Sequence, residues 1–459
     1  MSEPSYNIAI IGAGPAAIYG ADKLAEAGHE VVLLNRDIKP GGLAEFGIYP
    51  TKYRMKGGLR TMFRRILAKE NIHYYGNLTV GEGPGAELSL EEIRGFGFDA
   101  IVGAVGAQGT RWLGLPGEEA DKVYHAKDLV YHFNKLPPFS QRDYPIGEDV
   151  CVIGLGNVAL DIVHWLTCEK MIDRVTAVYR RGPAERPCTS RELKIVSGAM
   201  NTDQIRAEVD QIASELESVG QDPTEEYDDL TQYSDEPIES EESETELRFR
   251  FLRSPESIET DESGAVSGLV AEKTHLTPSD GERPGIEGTG ESETIPCDTV
   301  IFAIGDKIDP QLGIPLNPEW EGEFATVPDP WEAHPDRPRY MVYDPEAEEP
   351  IWDTFVVGWA RKASDGLVGK AKQDSEQGCD EILAYLDGEF PEKPGEPEAI
   401  EDILERLEST LTERGVQFVT FEEVRQLEDR EEEIAEERDL EEFKFESNEK
   451  MLNLIEEGV

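Results

Sequence analysis

One local pattern occurs twice in this chain and limits what it can fold into. A short apolar strand runs into a glycine turn that opens a helix, and a second apolar strand follows. The first copy has the strand Tyr6–Ile11, the turn Gly12-Ala13-Gly14-Pro15-Ala16-Ala17, helical spacing over Ala16–Ala27 and the strand Glu30–Leu34. The second begins about 140 residues later with Asp149–Ile153. It continues through Gly154-Leu155-Gly156-Asn157-Val158-Ala159, a helix over Val158–Thr167 and the strand Arg174–Tyr179. Such alternation predicts a parallel sheet covered on both faces.

Each turn has the spacing of a dinucleotide cradle. Gly12 permits the tight turn, and Gly14 lets backbone approach a pyrophosphate at the start of a helix opened by Pro15 and Ala16. Ala17 keeps helix and strand close. An acid for ribose hydroxyls is expected at the end of the next strand. Asn35 stands there, a weaker acceptor, with Asp37 as the alternative. In the second copy Gly154, Gly156, Asn157 and Val158 take the cradle positions, and the following strand ends Tyr179-Arg180-Arg181-Gly182. Two guanidinium groups suit a 2′-phosphate, which favours NADP(H) over NAD(H), although a solvated loop pair is the plainer alternative. The expected fold class is therefore α/β with two Rossmann-like dinucleotide-binding domains. In an oxidoreductase the natural pairing is FAD on the first and NADP(H) on the second.

The strand Phe98–Val102 runs into a glycine loop with Gly106, Thr299–Ile304 resembles its partner, and Thr354–Val357 leads into Gly358-Trp359. This order predicts a discontinuous FAD domain, 1–115 and 308–394, with an NADP domain inserted at 116–307 and an acidic helical extension at 395–459. Residues 200–246 carry 17 acids and one base, Arg206. They are expected to be a mostly solvated or disordered insertion, and 278–296 reads the same way. The stripe Ile400, Ile403, Leu404, Leu407 and Leu411 predicts an amphipathic helix packed on its own domain, with a coiled-coil partner site as the alternative.

Composition removes other classes. There are 96 acids against 44 bases, net −52. That much like charge strains a compact state in dilute buffer and repels nucleic acid and anionic membrane. It reads as the composition of a cytoplasmic protein from a salt-accumulating cell. No run approaches the ~20 apolar residues of a membrane span, and the start MSEPSYNIAIIGAG is not expected to be a signal peptide. The five scattered cysteines contain no Cys-x-x-Cys, so no metal site and no redox-active dithiol is expected.

Further segments resemble the adrenodoxin-reductase-like ferredoxin–NADP reductases. These are relatives of the glutamate synthase small subunit among the two-dinucleotide-domain flavoproteins. Gly41-Gly42-Leu43-Ala44-Glu45-Phe46-Gly47-Ile48 is similar to that family's flavin-side loop, and Gly106-Ala107 with Leu115-Pro116-Gly117 to its hinge. Gly154 to Asp161 resembles the NADP fingerprint. Arg180-Arg181-Gly182-Pro183 and Thr189-Ser190-Arg191-Glu192-Leu193 resemble the 2′-phosphate and nicotinamide-side segments. Gly358-Trp359 with Gly366-Leu367-Val368-Gly369 resembles the motif beneath the flavin ring.

The resemblance implies transfer of hydride between NADPH and FAD, and of single electrons between FAD and a ferredoxin. Asp161 and Glu192 become candidates for orienting nicotinamide or passing a proton, and Trp359 for packing on flavin. Gly366, Leu367 and Val368 are expected to open a helix aimed at the flavin. The chain departs from the pattern at Asn35, at Lys52 where the family often has His, and at Lys362-Ala363-Ser364 in place of Arg-Gly-Pro.

From Thr51 to Glu70 there are seven bases (Lys52, Arg54, Lys56, Arg60, Arg64, Arg65 and Lys69) and one acid. In so acidic a chain this run reads equally as a docking patch for an acidic one-electron carrier or as internal salt bridging. The alternative function is an electron-transfer subunit of a larger enzyme, with the acidic tail as its docking arm.

Overall fold

The computed structural model describes residues 4–240, 242–279, 281, 283–319, 322–328, 339–361, 368–392 and 394–458, with backbone alone at 51 and 53. The chain forms two compact units. The first holds residues 1–110, 133–141 and 306–459, and the second 111–132 and 142–305.

The first unit is built on a seven-stranded sheet. Its spatial order is Met341–Asp344, Glu349–Val356, Ala100–Gly103, Asn7–Ile11, Glu30–Leu34, Ile72–Gly76 and Val419–Thr420. The five inner strands pair in parallel and both edge strands antiparallel. Inner strands buried on both faces read as continuous apolar runs. Accordingly Ile8 and Ile10 enter one core, while Ala9 and Ile11 enter the other. The first core is covered by the helices Pro15–Glu26, Tyr53–Leu67, Val368–Leu386, Phe421–Glu437 and Asn448–Glu457.

The tail does not stand apart as an extension. Its helix Ile400–Glu413 buries Ile403, Leu407 and Leu411 against the second core, as the stripe predicted, and its later helices add Val424, Leu427 and Met451 to the first. Between them Val419–Thr420 closes a sheet edge against Tyr75 and Gly76. A two-residue strand carries almost no sequence signal, which is why 395–459 reads as a separate segment.

The second unit has five parallel strands in the order Val123–His125, Thr299–Phe302, Asp149–Ile153, Arg174–Tyr179 and Glu246–Phe251. A three-stranded antiparallel sheet, Arg253–Thr260, Val266–Thr277 and Gly285–Pro296, packs Ile258, Leu269, Ala271 and Ile295 onto Cys151, Ile153, Val300 and Phe302.

Two expectations are corrected here. Residues 278–296 are largely an edge strand, exposed along its middle from Glu287 to Ser292, and charges on such an edge discourage further pairing. Residues 200–246 are not a solvated insertion. They form helices Thr202–Gln211, Ala213–Ser218 and Pro223–Thr231, with Ile205, Val209, Leu216 and Leu230 buried. Glu208, also buried, accepts from Phe251 N at 3.0 Å and Arg250 Nη1 at 2.6 Å. A few well-spaced apolar side chains and one paired buried acid order a segment that net composition marks as unfolded.

Candidate functional site: two glycine cradles

The two cradles repeat each other bond for bond. Gly12 N donates to Leu34 O at 2.7 Å, and Gly154 N to Val178 O at 2.9 Å. Both glycines have positive φ, +107° and +113°. A Cβ on Gly12 would lie 2.6 Å from Ala104 O, and one on Gly154 would strike Ala303 O. Ala104 N and Ala303 N in turn donate to Ile11 O and Ile153 O. The first glycine of each fingerprint is thus required by neighbouring backbone.

The second glycine differs. Gly14 caps the helix Pro15–Glu26 at φ −78°, and its Cβ position has nothing within 4 Å. Gly156 caps Asn157–Trp165 at φ −88°, with only Pro187 Cγ at 3.9 Å. Any residue adopts such angles, so the fold leaves open space there for something to approach. The first-turn amides of both helices have no intrahelical partner, and Asn157 and Val158 are exposed beside them. A helix start with open backbone suits a pyrophosphate, so the residues present fit a dinucleotide at each cradle.

Around the first cradle, Asn35 is buried and works within the loop. Its Oδ1 accepts from Ala13 N at 3.0 Å, and its Nδ2 donates to Asp37 O at 2.8 Å, Lys39 O at 3.3 Å and Tyr74 Oη at 3.1 Å. A carboxylate has no proton for the three acceptors, which explains an amide here. Its observed place is therefore support of the turn, and Asp37 holds Arg36. Gly41 N donates to Ala13 O at 2.7 Å. Gly42, at φ +49°, packs so closely that its Cβ would lie 3.0 Å from Gly14 Cα. Leu43 opens the short helix Leu43–Phe46, whose carbonyl accepts from Gly47 N at 2.9 Å.

Gly106 and Gly358 also have positive φ, and a Cβ on Gly358 would meet Ala16 Cβ at 2.6 Å. The half-buried Trp359 lies in the turn Gly358–Ala360 beside that contact. Val368 lies in the helix Val368–Leu386. Gly366 and Leu367, with Lys362 to Ser364, lie outside the described residues.

Around the second cradle, Tyr179 donates its hydroxyl to Glu185 O at 2.8 Å. Burial raises its phenol pKa, and Arg181, Arg283 and Arg180 pull against it. Arg180 is exposed, and Arg181 donates to Pro284 O. Arg283 lies in the loop before the edge strand Gly285–Pro296, within the segment expected to be solvated. Arg186 donates to Pro183 O at 2.7 Å and Ser190 Oγ at 3.0 Å, and pairs with Asp229 of the former insertion. Asp161 is half-buried on the cradle helix. Glu192 caps its own short helix, accepting from Thr189 N at 2.8 Å, so its carboxylate has a local structural task.

The basic run is mostly neutralised from within. Arg60 bonds Glu45 at 2.6 Å and Glu442 at 2.8 Å. Arg64 bonds Glu428 at 2.6 Å and Glu432 at 2.9 Å, and Lys69 bonds Asp22 and Glu26. Lys56 is buried and donates to Asn134 Oδ1 at 2.7 Å. Lys52, Arg54 and Arg65 are exposed. Among the described residues no helix is long and apolar enough to cross a membrane, and no cluster could hold a metal ion.

The family model described as pyridine nucleotide-disulphide oxidoreductase matches residues 6–236, just over half of the chain. A mitochondrial NADPH:adrenodoxin oxidoreductase of Arabidopsis thaliana is 28% identical over 422 residues, covering 81% of this chain and 83% of the relative. The NADPH-ferredoxin reductase FprA of Mycobacterium leprae is 28% identical over 450 residues, 90% of this chain and 91% of that one. The solved structure of Mycobacterium tuberculosis FprA in complex with NADPH superimposes with a TM-score of 0.77 at 25% identity. It covers 98% of this chain and 99% of that one.

Proposed function

The chain belongs to the pyridine nucleotide-disulphide oxidoreductase family, and on that premise we propose that it is an FAD-dependent reductase. It takes hydride from NADPH and passes single electrons to a ferredoxin-like carrier. The observation that carries this reading is the pair of cradles with open second glycines, the later one followed by the consecutive arginines Arg180 and Arg181. The names of its mycobacterial and plant relatives support it. Among the described residues no Cys-x-x-Cys is present to make a disulphide the acceptor.

Gly12, Gly14, Pro15 and Ala16 would hold the FAD pyrophosphate, with Gly42, Leu43, Gly47, Gly106, Trp359 and Val368 around the remainder. Gly154, Gly156, Asn157 and Val158 would hold the pyrophosphate of NADP(H), and Arg180 and Arg181 its 2′-phosphate. Bound FAD supplies two-electron acceptance and one-electron release. The chain's part is to bind and orient. No side chain is asked to act as a covalent nucleophile, and Asp161 is the candidate for orienting nicotinamide. Anaerobic stopped-flow mixing with NADPH in concentrated KCl tests the reading. Bleaching of the flavin band is expected, and an unchanged band overturns it.

For the carrier, the exposed part of the basic run around Lys52, Arg54 and Arg65 supports docking of an acidic protein, with Met55 and Met62 exposed on the same helix. Arg65→Glu is expected to raise the apparent KM for ferredoxin and leave that for NADPH unchanged. An unaltered ferredoxin KM removes this docking site. The acid-rich composition supports a cytoplasmic location in a salt-accumulating cell.

A further inference from the structure

Two buried ion pairs bracket the loop that rests on the first cradle, and each has one partner in the C-terminal tail. At one end Lys39 Nζ lies 2.5 Å from Glu431 Oε2 in the helix Phe421–Glu437. At the other, Lys444 Nζ of the tail lies 2.6 Å from Glu45 Oε1 and donates to Glu45 O at 3.1 Å. It also sits 4.8 Å from the centre of the Phe46 ring. Glu431 closes the ring, because its second oxygen accepts from Phe445 N at 2.8 Å. All four charged side chains are no more than 7% exposed. Between the anchors lie Pro40 to Ala44, including the Gly42 that packs on Gly14.

Burial alone would favour the neutral forms of Glu45 and Lys39. Instead Lys444, Arg60 and Lys39 overcome it at Glu45 and hold that carboxyl well below its usual range, while Glu431, Glu45 and Glu428 raise Lys39. Such networks contribute little net stability, since desolvation offsets much of the attraction. What a closed ring of short, directional bonds does supply is position.

We infer that the C-terminal tail is a working part of the first dinucleotide site, with Lys444 and Glu431 as positioning residues that set the Pro40–Ala44 loop against Gly14. This rests on the reading of that cradle as the FAD site. The loop's backbone reaches the cradle, but its own local sequence, Pro-Gly-Gly, does not fix one conformation. The tail supplies the constraint from about 400 residues away.

The test is FAD titration of the deflavinated full-length chain in molar KCl, read by flavin fluorescence, with apo-chain melting recorded in parallel. Lys444→Met and Glu431→Gln are expected to weaken FAD binding about tenfold or more, while NADP+ binding stays within twofold of wild type. Lys444→Arg should restore most of the affinity. Arg414→Gln, which breaks a tail contact to Glu92 far from the loop, should leave it within twofold. FAD affinity unchanged in both Lys444→Met and Glu431→Gln overturns the inference. So does collapse of both apo variants, because the role would then be global stability. A wild-type chain that takes up no FAD overturns the parent reading, and the tail's role with it. Wild-type binding with unaffected variants overturns only the latter.

Discussion

Two glycines two residues apart should respond oppositely to the same added methyl group. At Gly12 an alanine meets φ +107° and the Ala104 carbonyl, whose oxygen and carbon would lie 2.6 and 3.0 Å from the new Cβ. Both obstacles are backbone fixed in the sheet and cannot rotate away. A strained dihedral costs about 1–3 kcal/mol and overpacking about as much again, so Gly12→Ala should destabilise the flavin-free chain by roughly 2–6 kcal/mol. At Gly14 the angle is ordinary and nothing lies within 4 Å. There Gly→Ala removes unfolded-state freedom and should stabilise the flavin-free chain by about 0.4–1 kcal/mol. Yet it places a methyl where a pyrophosphate must touch backbone, and FAD affinity should fall about 100-fold or more, roughly 2.7 kcal/mol. Denaturant melts of the deflavinated variants in molar KCl, followed by FAD titration, measure both quantities. A Gly14→Ala chain that is destabilised like Gly12→Ala, or that binds FAD as tightly as wild type, refutes the argument. Gly154→Ala and Gly156→Ala should repeat the contrast with NADP+ as the ligand.

Arg181→Ala should raise the KM for NADPH about 10–100-fold, the worth of a charge-assisted contact, and leave that for NADH nearly unchanged. Equal effects on both would remove the 2′-phosphate assignment. Leu407→Ala should cost about 2–5 kcal/mol in melts, since the side chain is fully buried under the sheet; a loss below about 1 kcal/mol would mean the tail helix does not pack there. Burial, reinforced by Lys444 and Arg60 against Glu442 and Glu45, pushes the Lys56 ammonium down to about 8. The folded state then sheds this proton before the unfolded state does, so stability rises as pH climbs from about 8 towards 10.5. Lys56→Met should lack that rise, and the difference between the two proteins should change by up to ~3 kcal/mol over the interval. A constant difference across it would remove the shift.

What could be read in advance follows the range of the forces involved. The strands Glu30–Leu34, Asp149–Ile153 and Arg174–Tyr179 end where the apolar runs end, because burial on both faces leaves a local signature. The cradles were legible for the same reason, since turn, cap and helix lie within six residues. The support of the site was not. Lys39, Glu45, Glu431 and Lys444 are unremarkable in a chain with 96 acids, and only the fold shows four of them buried together. Arg283 hides in a loop whose neighbours are polar, and Asp229 in a segment that composition marks as unfolded. Asn35 stands in the sequence where a ribose ligand is expected, and only the three acceptors around its amide give a reason for the nitrogen.

The pairing of Tyr75 with Thr420 also sets a timetable for synthesis. At about 5–20 residues per second, the partner of this strand leaves the ribosome roughly 20–70 s after it, once the whole of the second unit has been made. The earlier-emerging half-sheet must wait with both borders bare, since the neighbour of Ala100–Gly103, the strand Glu349–Val356, is also made after the second unit, and the nascent protein is most vulnerable to sticking to its neighbours during that interval.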